Sequence, residues 1–364
     1  MSEATEPAVD IIARLVPAIL KALYALEFTS RHLAPSTLQK LIGAVAGRDT
    51  ALDEALQESR TLDWPEQLSP ARGCIESAAA AASDGLHRLT AALEDAQPML
   101  AAYRALRSYA RACEALYPMA PHLRPVSQFF LEPVAREYKE RLAALAAIDP
   151  LRDDVGTMPV GGPAGTRGAF SLYVPEYYDP ARAWPLVVAL HGGSGNGGAF
   201  LWSWLREART RGFILLAPTA SGSTWSLMEP DVDGPNIDRM VGEVGERWNV
   251  DVSHQLLTGM SDGGTFSYVL GLREGCRFTH LAPIAAAFHP LMMMTMADAD
   301  RVRGLPIHIV HGAQDWMFPA QLARTAEQTL AQAGAAVVYR EIADLSHTYP
   351  RDENGAILDW FLKA

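Results

Sequence analysis

Cysteine is scarce in this chain. Three residues in 364, Cys74, Cys113 and Cys276, are odd in number and far apart, which argues against a disulfide framework and fits free thiols in a reducing compartment. Dense Lys/Arg runs are also missing. The formal charge of -11 and pI near 5.4 leave no basic surface for a phosphate backbone, so no nucleic-acid partner is expected. The first apolar segment is broken by Arg14, Pro17 and Lys21, too early to span a membrane. The opening Met1-Ser2-Glu3 is acidic where a secretory leader would be basic, so a cytoplasmic location is expected. His254, His280, His289 and His308 lack metal-ligand spacing. No metal and no cofactor is expected.

Glycine is nearly absent from the first part. Only Gly43, Gly47, Gly73 and Gly85 precede residue 150, and the other 24 of 28 follow it. Residues 1–150 are Ala- and Leu-rich with helical periodicity. Ile11, Ile12, Leu15, Val16, Ile19, Leu20 and Leu23 fall on one helix face; Leu100, Tyr103, Leu106 and Tyr109 repeat the spacing. Five or six helices are expected there. They could serve as a lid, as packing, or as a surface for homo-oligomerisation. Residues 151–168, with Pro159, Gly161, Gly162, Pro163 and Gly165, read as a linker.

From residue 169 the pattern changes. Apolar runs at 169–174, 186–190, 213–217, 255–259, 281–286, 307–310 and 336–341 alternate with helical patterns near 199–211, 235–248, 263–273, 319–333 and 352–363. Such alternation argues an α/β fold, a mostly parallel sheet flanked by helices. In that architecture sites form where strands end at their carboxyl edge. Four strand ends carry chemistry. His191-Gly192-Gly193-Ser194-Gly195 follows one strand, Gly259-Met260-Ser261-Asp262-Gly263 another, His311-Gly312-Ala313-Gln314-Asp315 a third, and Asp344-Leu345-Ser346-His347 the last.

These segments resemble an α/β-hydrolase fold with triad order Ser, Asp, His, over residues 169–364. The motifs His191-Gly192-Gly193, Gly259-x-Ser261-x-Gly263-Gly264 and His311-Gly312-x-x-Asp315 are similar to serine esterases of the polyhydroxybutyrate depolymerase, feruloyl esterase and phospholipase/carboxylesterase group. The resemblance implies carboxylesterase activity on a small to medium acyl ester, without cofactor. Residues 1–150 carry no such resemblance.

Each role has a chemical reason. Ser261 would attack an acyl carbonyl after giving its proton to His347, which later protonates the leaving alkoxide. Asp315 would accept the other imidazole N–H; Asp344, three residues before His347, competes for that place. The resemblance puts oxyanion donors at the backbone amides of Asp262 and Gly193, with Ser194 the alternative to Gly193. The Asp262 side chain would cap the following helix or touch substrate. His191 would buttress the donor loop, and His311 would be a structural partner. Asp231 and Asp233 look like turn and cap residues. Trp225 and Trp316 are candidate substrate-binding residues, Trp225 reading equally as core. Phe288 to Met294 could line an acyl pocket or pack in the core.

Two other functions share these motifs. A serine peptidase of the prolyl-oligopeptidase type carries Gly-x-Ser-x-Gly-Gly, but behind a long β-propeller that a helical first half does not provide. A binding protein of hydrolase fold usually lacks a triad member, and this chain has all three.

Overall fold

The computed structural model describes residues 5–147, 152–227, 230–292 and 297–363. The chain divides into two compact units, Met1–Ala146 and Ala147–Ala364. Among the described residues no helix is long and apolar enough to cross a membrane.

The first unit is all helical: α1 Thr5–His32, α2 Leu38–Val45, α3 Thr50–Thr61, α4 Ser69–Ala91, α5 Pro98–Leu106, α6 Ser108–Leu116, α7 Arg124–Phe129 and α8 Lys139–Ala146. Among the described residues eight α-helices replace the expected five or six, because short turns break the later periodic runs. On α1, Ile11, Leu15, Val16, Ile19 and Leu23 are buried as their spacing predicts. On α5 the apolar face was misjudged. Leu100 is exposed, while Ala102 and Ala105 take the core side. Small residues let helices approach closely: a Cβ on Gly85 of α4 would lie 2.9 Å from the Ser108 Cβ of α6. Ala78, Ala79 and Ala82 of α4 are fully buried. On the surface, His87 Nε2 lies 3.1 Å from Asp49 Oδ2 and 2.9 Å from Asp53 Oδ2.

Among the described residues the second unit has eight strands: β1 Gly156–Val160, β2 Phe170–Val174, β3 Trp184–Leu190, β4 Ile214–Pro218, β5 Val250–Met260, β6 His280–Ile284, β7 Pro306–Gly312 and β8 Ala336–Ile342. They form one sheet in the order β1-β2-β4-β3-β5-β6-β7-β8. β1 and β2 are antiparallel to their neighbours and all other pairs are parallel. Main helices are α9 Gly197–Phe200, α10 Asp233–Arg247, α11 Asp262–Gly271, α12 Gln321–Gln332 and α13 Asn354–Phe361. β2, β4 and β6 are buried along their whole length, as continuous apolar strands covered on both faces must be.

Two expectations need correction. Part of the segment 151–168 is not linker: Gly156–Val160 pairs with β2 in register. β1 is a half-buried edge strand that tolerates Pro159, and its flanking glycines made it read as turn. The helix expected at 199–211 is fragmented into α9, two short turns and a wider i→i+5 turn ending at Gly212. That stretch buries Trp202, Trp204, Arg206, Glu207 and Arg209, so it has no continuous solvent face around which a regular amphipathic helix forms.

Candidate functional site

The nucleophile candidate sits on a sharp turn. Ser261 joins β5 to α11 at φ 56° and ψ -120°, a backbone conformation that L-residues adopt only when surrounding structure enforces it. Glycines on both sides make the turn sterically possible. A Cβ on Gly259 would lie 2.5 Å from the Gly263 backbone, and one on Gly263 2.4 Å from the Leu190 carbonyl of β3. The Ser261 amide donates to the Ile284 carbonyl at 2.9 Å, which ties the turn to the end of β6.

His347 reaches this turn from the loop after β8. Its Nε2 lies 3.0 Å from Ser261 Oγ and its Nδ1 2.8 Å from Asp315 Oδ2. All three residues are buried. With a carboxylate at Nδ1, the neutral ring carries its proton there and presents Nε2 as an acceptor to the serine hydroxyl. Asp315 is held in turn: its Oδ1 accepts from the Met317 and Phe318 amides at 2.9 and 2.7 Å. The two loops are fastened together by Ala313 N–H to Ile342 O and Gln314 N–H to Leu345 O, each 2.9 Å. Gly312 permits that approach, since a Cβ there would lie 2.3 Å from the Leu345 carbonyl. Asp344 is exposed. The acid at the imidazole is Asp315.

His311 is the structural partner expected of it. Its Nε2 donates to the Phe318 carbonyl at 2.8 Å and lies 3.5 Å from Asp315 Oδ2. Burial pushes its pKa down from the ordinary imidazole value. Phe318 meets the His347 ring edge-on at 5.2 Å.

The glycine loop after β3 lies against the serine turn. A Cβ on Gly192 would be 3.5 Å from Ser261 Cβ. His191 supports the loop from below. Its Nδ1 donates to the Gly192 carbonyl at 2.7 Å and its Nε2 accepts the Ala220 amide at 3.1 Å. Both bonds require the neutral Nδ1–H tautomer, and burial pushes the ring pKa down to about 4. The amide of Ser194 is already taken by the Ser223 carbonyl at 2.9 Å. Ser194, the alternative to Gly193 in the sequence reading, thus has its amide engaged within the protein.

Two aromatic residues divide in role. Trp225 is 3% exposed, stacks on Phe266 at 5.5 Å, lies tilted against the His191 ring at 4.7 Å, and donates Nε1–H to the His191 carbonyl at 2.7 Å. Its indole therefore ties the glycine loop to Phe266 of α11. Trp316 is 49% exposed beside the acid. The Asp262 carboxylate neither caps α11 nor stands free: its Oδ2 accepts the Thr224 hydroxyl at 2.6 Å. Of the segment Phe288 to Met294, Phe288 is buried against Tyr268, whereas Met293 and Met294 lie outside the described residues.

Sequence reasoning passed over Ser223 and Thr224. Their only signal was the neighbouring tryptophan in a loop after a strand. It also read Asp233 as a cap, without its tertiary partners.

No protein-family model matches the chain. Over 116 residues it is 30% identical to feruloyl esterase C of Emericella nidulans, a stretch covering 30% of this chain and 43% of that protein. Over 149 residues it is 27% identical to a bifunctional acetylxylan esterase/xylanase of Neocallimastix patriciarum, covering 40% of this chain and 21% of that one. The chain therefore spans less than half the length of either curated relative. A crystal structure of a thermostable esterase aligns with TM-score 0.46 and 24% identity, over 58% of this chain and 63% of the other. The architecture is an α/β-hydrolase fold with a helical N-terminal region, and in sequence the chain is similar to the two esterases over the stretches given.

Proposed function

We propose that the chain is a carboxylic ester hydrolase working through Ser261, His347 and Asp315. The observation that carries this reading is one imidazole held between the Ser261 hydroxyl and the Asp315 carboxylate. Ser261 Oγ attacks the acyl carbonyl carbon while its proton passes to His347 Nε2. The carbonyl oxygen becomes an oxyanion and accepts hydrogen bonds from the amides of Gly193 and Asp262, each donor contributing about 3 kcal/mol to the transition state. The C–O bond to the alcohol then breaks, and His347 returns the proton to the leaving alkoxide. Water, deprotonated by the same imidazole, attacks the acyl-enzyme and frees Ser261. Throughout, Asp315 holds the tautomer and stabilises the imidazolium.

The names of the two curated relatives, a feruloyl and an acetylxylan esterase, support acyl groups between acetyl and an aromatic acid. Trp316 beside the acid loop supplies an exposed apolar ring for the acyl or alcohol portion. The test compares p-nitrophenyl acetate, a longer-chain ester, methyl ferulate and an aminoacyl anilide as substrates of the wild type and Ser261→Ala. The reading predicts ester hydrolysis that falls by about four to six orders of magnitude in Ser261→Ala. Undiminished hydrolysis by that variant refutes it, and faster turnover of the anilide than of the esters makes the chain a peptidase.

A further inference from the structure

Three consecutive residues in the loop after β4 each hold a different part of the glycine loop and serine turn. The Ser223 carbonyl accepts the Ser194 amide at 2.9 Å. The Thr224 hydroxyl donates to Asp262 Oδ2 at 2.6 Å. The Trp225 indole donates to the His191 carbonyl at 2.7 Å. His191 and Ser194 bracket Gly193, and Asp262 carries the other amide proposed as an oxyanion donor. The carboxylate that accepts Thr224 is pressed on Gly193: a Cβ at that glycine would lie 2.6 Å from Asp262 Oδ2. One short arc thus fixes both amides relative to each other.

The arc is itself closed by a buried carboxylate. Asp233, at the first turn of α10, is 2% exposed. Its Oδ1 accepts the Ser221 amide and its Oδ2 the Ser226 amide, each at 2.8 Å. Those two amides sit at the ends of the arc 221–226. Ser226 Oγ answers by accepting the Asp233 amide at 3.0 Å and the Val232 amide at 3.2 Å, and donates to Asp231 Oδ1 at 3.1 Å. Arg273, which follows α11, secures Asp231 Oδ2 at 2.6 Å. Two charge-assisted bonds from one buried acceptor hold a six-residue arc far more firmly than loop contacts with water would.

We propose that Asp233 and Thr224 are positioning residues that set the spacing of the two oxyanion donors, Asp233 by closing the arc and Thr224 by linking it to Asp262. The inference rests on the esterase reading above and adds what fixes the donors. Neither residue touches the acyl group; their effect appears only when negative charge develops on the carbonyl oxygen.

The experiment measures kcat, KM and inhibition by a trifluoromethyl ketone, whose serine adduct carries an oxyanion, for Thr224→Val, Thr224→Ser and Asp233→Asn. Thr224→Val is expected to lose about tenfold in kcat with KM within about twofold, a part of what removing a donor outright costs, and to weaken ketone binding in parallel. Thr224→Ser keeps the hydroxyl and restores both values. Asp233→Asn, which retains shape but can accept only one of the two amides, gives the same signature as Thr224→Val. If Asp233→Asn fails to fold, the two Thr224 variants decide alone. Wild-type kcat and ketone affinity in Thr224→Val, or a rise in KM alone, overturns the proposal. Those results beside an inactive Ser261→Ala remove only the arc's role; an active Ser261→Ala removes the esterase reading beneath it as well.

Discussion

The two units bury different kinds of residue. Among the described residues, the polar side chains buried in the helical unit are the small hydroxyls Thr29, Ser59, Ser83 and Ser108. Thr29 simply bonds back to the carbonyl four residues earlier. The α/β unit buries Glu176, Arg209, Asp233, Asp315, His191, His280, His308, His311 and His347. Burying such groups requires partners with fixed geometry: Arg209 Nε meets Glu176 at 2.8 Å, and Tyr173 donates to the same carboxylate at 2.6 Å. A helix satisfies its own backbone, so the first unit packs largely with apolar and small side chains, and Glu27, Arg31 and Arg136 each bury a polar atom. Loops at the end of a parallel sheet leave amides free, and side chains such as Asp233 and Asp315 collect them. Water-excluded, oriented charge is what acyl-transfer chemistry uses. The contrast therefore singles out the second unit, where the proposed chemistry sits, without reference to any motif.

The largest expected effect lies in the triad. Asp315→Asn should lower kcat by about 10⁴-fold, since an amide at Nδ1 stabilises the wrong tautomer, while Asp344→Asn remains near wild type. Steady-state hydrolysis of p-nitrophenyl acetate checks both, and equal losses would place the acid elsewhere.

Glycine offers the next contrast. Gly263→Ala drives a Cβ against the backbone carbonyls of Leu190 and His191 and should destabilise by about 2–4 kcal/mol. Gly73, in the exposed interior of α4, has nothing within 4 Å of its added Cβ. Gly73→Ala should stabilise by about 0.5–1 kcal/mol through helix propensity, the smallest effect expected here. Urea unfolding followed by circular dichroism measures both. Equal responses would mean that glycine serves the same purpose in the two units.

Between those extremes lies acid sensitivity. Burial depresses the imidazoles of His191, His280 and His308 to about 4 from the ordinary 6.5. Between those values the unfolded chain binds protons that the folded unit does not. Stability is therefore complete above about pH 6.5 and falls as the pH drops toward 4. Seven of the eight tryptophans lie in the α/β unit, so tryptophan fluorescence during thermal melts at pH 7.5 and 4.5 follows that unit. His308→Leu, beside Trp360 at 5.2 Å, should reduce the pH dependence of the fluorescence midpoint; an unchanged slope would put the acid sensitivity elsewhere.

Much of the fold was legible in the sequence, because apolar runs and helical spacing report burial directly. Seven of the eight strands could be read that way. β1 could not, since an edge strand with Pro159 and half-buried faces lacks the pattern that a covered strand must have. Leu100 misled for the opposite reason: its spacing fits a buried face, but close helix crossings are filled by alanine. At the site, residue types at strand ends indicated Ser261, Asp315 and His347, because chemistry restricts which residues can attack, relay a proton and orient the base. The bonds of Trp225 were not legible, since an aromatic in a loop has the same sequence signal whether it faces solvent or supports a neighbour.

By itself the sequence determined the alternation of strands and helices, the division near residue 150 and the residue types at the carboxyl edge. These follow from local periodicity and from the chemistry of individual side chains. Only the tertiary structure brought the Asp315 carboxylate to the His347 imidazole, engaged the Ser194 amide with the Ser223 carbonyl, and joined Asp233 to an arc whose residues reach His191, Ser194 and Asp262. Those choices depend on distances between segments separated by tens of residues, and spacing along the chain carries no measure of such distances.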